Sequence, residues 1–129
     1  MSSTSTTHQS AGVHLLADLY GVNADTLSCA AVLEDLLRQG AQSAGAKILV
    51  SHFHAFGTGQ GVTGVVLLAE SHISIHTWPE YGYAAVDIFM CGNAQPQRAL
   101  ETIRQALQPQ SCEVKTIERG WVADSTRVT

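Results

Sequence analysis

Apolar and polar positions change their spacing several times along the chain, and each change marks an element. "VHLLADLYGV" (13–22) is a short apolar run with β-branched and aromatic residues that ends at a glycine, which predicts a strand. In "NADTLSCAAVLEDLLRQGAQSAG" (23–45) the period becomes helical. Leu27, Ala30, Leu33, Leu36 or Leu37, and Ala41 return at steps of three and four, with Asn23 or Asp25 as N-cap and Gly45 at the C-terminal end. "AKILVSHFHAF" (46–56) predicts a second strand, followed by the turn "GTGQG". "VTGVVLLAE" (62–70) is a near-continuous apolar run of the kind found in a central strand covered on both faces. "SHISIHTW" (71–78) alternates and continues as another strand, "PEYG" turns, and "YAAVDIFMC" (83–91) returns. "NAQPQRALETIRQALQ" (93–108) predicts a second helix, with Ala99, Leu100, Ile103 and Leu107 on one face and Asn93 as its cap. "SCEVKTIERGWV" (111–122) closes with a strand.

The order β-α-β-β-β-β-α-β is an α+β pattern. It predicts a two-layer sandwich: a mainly antiparallel sheet with two helices packed on one face. The opposite sheet face then needs cover, which a second copy of the chain could supply. Residues 1–11, rich in Ser and Thr, read as a flexible tail ahead of a single domain over 12–129.

Composition narrows the partners. The chain has 129 residues, 45% hydrophobic and 14% charged, enough for one core and with few charges to keep its surface in water, which favours an oligomer. Seven Lys and Arg, scattered among eleven Asp and Glu, leave no electrostatic footprint for nucleic acid. No apolar run approaches the roughly 20 residues that span a bilayer, so no membrane partner is expected. The N-terminus lacks the basic and apolar regions of a secretory signal. Three cysteines, Cys29, Cys91 and Cys112, with no CxxC, suggest reduced thiols in the cytoplasm.

The residues able to do chemistry concentrate in 71–91. Alternation puts Ser71, Ile73 and Ile75 on one face and His72, Ser74, His76 and Trp78 on the other. In the next strand Ala84, Val86, Ile88 and Met90 form the apolar face, with Tyr83, Asp87, Phe89 and Cys91 opposite. Cys91 therefore lies off the aliphatic side, although a lone cysteine often serves as a small buried hydrophobe. His52 and His54, two apart on a strand, could share a metal ion with His72 and His76, or all four could simply bond within a polar sheet face. There is no G-x-S-x-G elbow around Ser71, and "GTGQGVTG" lacks the Lys-Ser/Thr ending and following helix of a phosphate-binding loop.

The segment "ESHISIHTWPEYGYAAVDIF" with "CG" at 91–92 resembles the bacterial and archaeal S-adenosylmethionine decarboxylase proenzymes. "ADLYG", "SHFHAFG", "GVTGVV" and "ERG" fall in the order expected of them, and the resemblance covers roughly residues 12 to 121. It implies a carboxy-lyase that makes its own cofactor, a covalent pyruvoyl group, by autocatalytic cleavage at Glu70–Ser71 into a β chain (1–70) and an α chain (71–129). On this resemblance Ser71 is the pyruvoyl precursor that forms the Schiff base with substrate. His76 is the base for processing, and Thr63 stands where the family carries a processing hydroxyl, often serine. Cys91 is the proton donor, which a neighbouring Asp87 is expected to keep protonated. Phe56 and Trp78 match the rings that stack the adenine, Glu80 matches the carboxylate on the ribose, and Glu70 lines the amino-acid end. No metal is implied. The resemblance also implies a homodimer of αβ protomers with shared sites, serving spermidine synthesis. The same self-cleaving machinery could instead act on arginine or ornithine, and a non-enzymatic metal module built on the four histidines is a separate alternative.

Overall fold

A computed structural model describes residues 11–120; residues 1–10 of the tail expected over 1–11, and the last two residues, Trp121 and Val122, of the strand expected over 111–122, lie outside the described residues. The elements are β1 (Gly12–Tyr20), α1 (Ala24–Leu27), α2 (Ala30–Ser43), β2 (Ile48–Ala55), β3 (Val62–Leu68), β4 (Ser71–Trp78), a short 3-10 turn (Pro79–Tyr81), β5 (Tyr83–Cys91), α3 (Pro96–Leu107) and β6 (Ser111–Arg119). The six strands form one sheet in the order β2-β3-β4-β5-β1-β6, with every neighbouring pair antiparallel. Helices α2 and α3 pack together and cover one face, so the expected α+β two-layer sandwich is the fold observed.

Alternation sorts the strands as expected. Ile73 and Ile75 of β4 and Ala84, Val86, Ile88 and Met90 of β5 are buried. They meet Leu15 and Leu19 of β1, Leu33 and Leu37 of α2 and Ile103 of α3 in one apolar core. Removing such side chains from water contributes about 1.5–3 kcal/mol each, which fixes the register, because a one-residue slip would turn a strand's whole apolar set outward. Gly45, just past α2, has φ +79 and turns the chain into β2.

Four local expectations are corrected. The helix over 23–45 is broken into α1 and α2, with Cys29 extended at φ −105 and ψ 100. The carbonyl of Leu27, which a continuing helix would use, instead accepts the hydroxyl of buried Thr77 at 2.7 Å. Asn23 does cap α1, accepting from the backbone N–H groups of Asp25 and Thr26 at 2.8 and 3.3 Å. Asn93 does not cap α3. Pro96 is pre-set for the first helical position, so the cap is Gln95, whose N–H donates to the Ala44 carbonyl at 2.9 Å. Strand β3 is covered on one face only: Val62, Gly64, Val66 and Leu68 are buried, whereas Leu67 on the other face is 45% exposed. Finally, the strand expected over 62–70 ends at Leu68, and β3 and β4 form a tight hairpin. Leu68 pairs with Ser71, and Ala69 and Glu70 make the turn.

Candidate active site

Chemistry-bearing side chains gather at the two ends of the β3–β4 hairpin. At the turn, Glu70 has φ +67, a left-handed conformation that costs a residue with a side chain about 1–2 kcal/mol. Ser71 follows at once, and its Oγ accepts the backbone N–H of Cys91 at 3.3 Å. Cys91 ends β5 with a free, half-buried thiol. Gly12 of β1 is its cross-strand partner. A Cβ at position 12 would lie 2.9 Å from the Cys91 sulfur and equally close to the Phe89 ring, so only glycine leaves the flank of the thiol open.

The opposite end of the hairpin opens into a cleft of about 560 Å³ lined by Phe56, Thr63, His76, Trp78 and Glu80, with the 58–61 turn as its rim. Thr63 and His76 are directly paired across β3 and β4, and Thr63 Oγ1 lies 3.1 Å from His76 Nδ1. The "GTGQG" turn folds back so closely that a Cβ at Gly61 would sit 2.3 Å from the Thr77 carbonyl oxygen. That approach brings Phe56 to the cleft, where its ring stands edge-on to His54 at 4.6 Å. Trp78 stacks on Tyr83 at 5.1 Å, and Glu80 sits in the 3-10 turn after Pro79. Thr77 pins this end of the sheet: besides donating to Leu27, its hydroxyl accepts the Val62 N–H at 2.9 Å.

Five of the expected site residues, Phe56, Thr63, His76, Trp78 and Glu80, thus share one cleft. The other three, Glu70, Ser71 and Cys91, lie at the far end. At ~3.3 Å per residue the five-residue step from Ser71 to His76 is about 16 Å, so one chain does not bring the two groups together. Asp87 is not a close neighbour of Cys91 either. It stands four residues up β5, about 13 Å away by the same rise, opposite Ser74 and Leu16.

The four histidines do not converge. Strand β3 separates β2 from β4, leaving His54 and His76 on either side of Thr63 at two strand spacings, about 10 Å. Among the described residues no group of three or more His, Cys, Asp or Glu could hold a metal ion. His72 joins a different cluster on the open sheet face, with His14 and Phe89. Arg119 lies over the Phe89 ring at 5.1 Å and approaches His14 Nδ1 at 3.5 Å, while His14 Nε2 is buried with no hydrogen-bond partner among the described residues. Burial, reinforced by the nearby His14, pushes the His72 pKa below its ordinary 6.5, against a weaker opposing pull from Asp87.

Sequence reasoning missed Gly12, Thr77 and the pair Asp18–Tyr83, whose hydroxyl-to-carboxylate bond of 2.6 Å lies behind Trp78. Alternation does place Asp18 and Tyr83 on the open face, but nothing local signals that they meet across β1 and β5.

The S-adenosylmethionine decarboxylase family model matches residues 13–120. The chain is 48% identical over 112 residues to an S-adenosylmethionine decarboxylase proenzyme of Persephonella marina, covering 86% of this chain and 84% of that protein. It is 43% identical over 113 residues to the proenzyme of Thermotoga maritima, covering 87% and 86%. Among solved structures it is similar to the adenosylmethionine decarboxylase of Aquifex aeolicus, with a TM-score of 0.81 and 41% identity over 93% of this chain and 99% of that one.

Proposed function

The chain belongs to the S-adenosylmethionine decarboxylase family, and we propose that it releases carbon dioxide from S-adenosylmethionine with a pyruvoyl group made from its own Ser71. The observation that carries this reading is the hairpin turn. It holds Glu70, the residue before the bond to be cut, in a strained left-handed conformation, with the Ser71 hydroxyl accepting the Cys91 backbone N–H and an open flank at Gly12. These residues fit the group: a hydroxyl next to the bond it must attack, strain that scission relieves, and the end of β5 at Cys91 tied to that hydroxyl through its backbone N–H.

Processing follows from this chemistry. Ser71 Oγ attacks the Glu70 carbonyl carbon, and the amide becomes an ester through a tetrahedral intermediate. His76 of a second copy, held by its Thr63, serves as base for removal of the Ser71 α-proton. The Glu70 carboxylate then leaves by β-elimination, and water converts the dehydroalanine to the keto group with loss of ammonia. The products are a β chain, 1–70, and an α chain, 71–129.

When present, the pyruvoyl ketone binds the substrate amine and takes up the electron pair released with carbon dioxide. The chain's own side chains do the rest. Cys91 delivers a proton to the substrate α-carbon. Phe56 and Trp78 enclose the adenine, and Glu80 accepts hydrogen bonds from both ribose hydroxyls. The aromatic faces attract the sulfonium.

A complete site needs two copies. Ser71 and Cys91 lie too far from the cleft of their own chain for one substrate molecule to reach both. The helix-free sheet face carries Leu16, Val65, Leu67 and Ile117, the last two 45% exposed each. Two such faces packed together place the Ser71 end of one copy over the Thr63–His76 end of the other, giving a dimer of αβ protomers with shared sites. All three cysteines are free thiols, which fits a reducing cytoplasmic setting.

The test is release of labelled carbon dioxide from carboxyl-labelled S-adenosylmethionine, arginine and ornithine. The nucleoside substrate should be turned over by the wild-type protein and not by Ser71→Ala. Release from arginine or ornithine in its place would overturn the substrate assignment.

A further inference from the structure

We propose that Tyr83, tethered by Asp18, is a positioning residue that fixes Trp78 as a preformed plate for the adenine; this rests on the nucleoside reading of the cleft. Trp78 ends β4 and is 39% exposed, so the strand itself leaves the indole free to swing. Its cross-strand partner is Tyr83, and the two rings are stacked at 5.1 Å with planes 22° apart. Behind Tyr83 lies Tyr20, stacked at 5.3 Å and 18°, so three rings form a column across β4, β5 and β1. The middle ring is locked by its hydroxyl, which donates to Asp18 Oδ1 at 2.6 Å, a charge-assisted bond to a neighbouring strand. That bond, with burial, pushes the tyrosine pKa up to about 12, so the donor persists at any ordinary assay pH.

One face of the indole is therefore occupied by Tyr83, and the other faces the cleft. A bound adenine becomes the fourth layer of the column, with Phe56 beyond it. Holding the plate in advance spares the substrate the entropy of ordering it, about 0.5–1.5 kcal/mol for a mobile side chain. Such help strengthens ground state and transition state alike, so its loss raises KM and leaves kcat alone. A pair that merely tied β1 to β5 would affect stability instead.

The test is steady-state kinetics with S-adenosylmethionine on processed Tyr83→Phe, Asp18→Asn, Tyr83→Leu, Trp78→Leu and the Tyr83→Leu/Trp78→Leu double variant. Intact mass confirms cleavage in each. Tyr83→Leu should raise KM about tenfold with kcat within about twofold, and Tyr83→Phe and Asp18→Asn should raise it about threefold. The double variant should be no worse than Trp78→Leu alone, because Tyr83 acts through Trp78. Multiplying effects, or a fall in kcat at unchanged KM, overturn the proposal. Should Tyr83→Leu fail to fold, the two milder variants decide, and an unchanged KM in both overturns it. An unchanged KM in Trp78→Leu sinks the nucleoside sandwich as well, which separates the failure of the cleft reading from that of the tether.

Discussion

Thr63 and His76 face each other across β3 and β4 with Oγ1 and Nδ1 3.1 Å apart, at the end of the hairpin that Ser71 does not occupy. On the proposed function, a base so placed would serve the Ser71 of another copy. Co-expression of Ser71→Ala with His76→Ala should therefore restore cleavage of the His76→Ala chain, which alone still carries Ser71. If His76 acted within its own chain, neither variant would be cut, and intact mass would show two uncleaved species.

The Thr63 hydroxyl is the only side-chain partner found at 3.5 Å or less from the His76 ring among the described residues. Its loss removes an interaction of about 1.4 kcal/mol or more, so Thr63→Ala should slow self-cleavage about tenfold. Thr63→Ser keeps the hydroxyl and should stay within about threefold of wild type. The time course of proenzyme disappearance on a denaturing gel measures both rates.

Cys91 and Gly12 should separate turnover from processing. Cys91→Ala should still be cut at Glu70–Ser71, yet release carbon dioxide about 100-fold or more slowly, because the proposed proton donor is gone. Gly12→Ala pushes a methyl group to within 2.9 Å of the Cys91 sulfur and the Phe89 ring. It should cost about 1–3 kcal/mol of stability in denaturant melts and lower kcat as the thiol is displaced.

Folding stability should also depend on pH through His72. The unfolded imidazole titrates near 6.5, and burial beside His14 lowers the folded value. Between the two, the unfolded chain binds more protons, so the contribution is full above pH 6.5 and is lost as pH falls through the folded pKa. Thermal melts should show Tm dropping on acidification over that range. His72→Gln should flatten the drop, and an equally steep profile in that variant would contradict the assignment.

Much of this architecture is legible in the residues. Period-two alternation sorts β4 and β5 correctly, because Ile73, Ile75, Val86 and Ile88 have no other apolar refuge, and the three- and four-residue steps of α2 and α3 mark their buried faces. What is not legible depends on contacts between distant residues. The break at Ser28–Cys29 comes from the hydroxyl of Thr77, fifty positions away, taking the Leu27 carbonyl. The turn at Ala69–Glu70 carries neither Gly nor Pro, so the apolar run over 62–70 conceals where β3 ends and a hairpin tip held against its local preference. Motif matching names Ser71, His76 and Cys91 as one set. Only strand geometry reveals that His76 is about 16 Å from Ser71 in the same chain.

Self-cleavage carries the whole account, and intact mass of the purified wild-type protein tests it most directly. The predicted result is two chains, residues 1–70 and 71–129, the second beginning with a pyruvoyl group in place of Ser71, while Ser71→Ala remains one chain. A wild-type protein that stays a single chain of 129 residues yet still decarboxylates S-adenosylmethionine would contradict it.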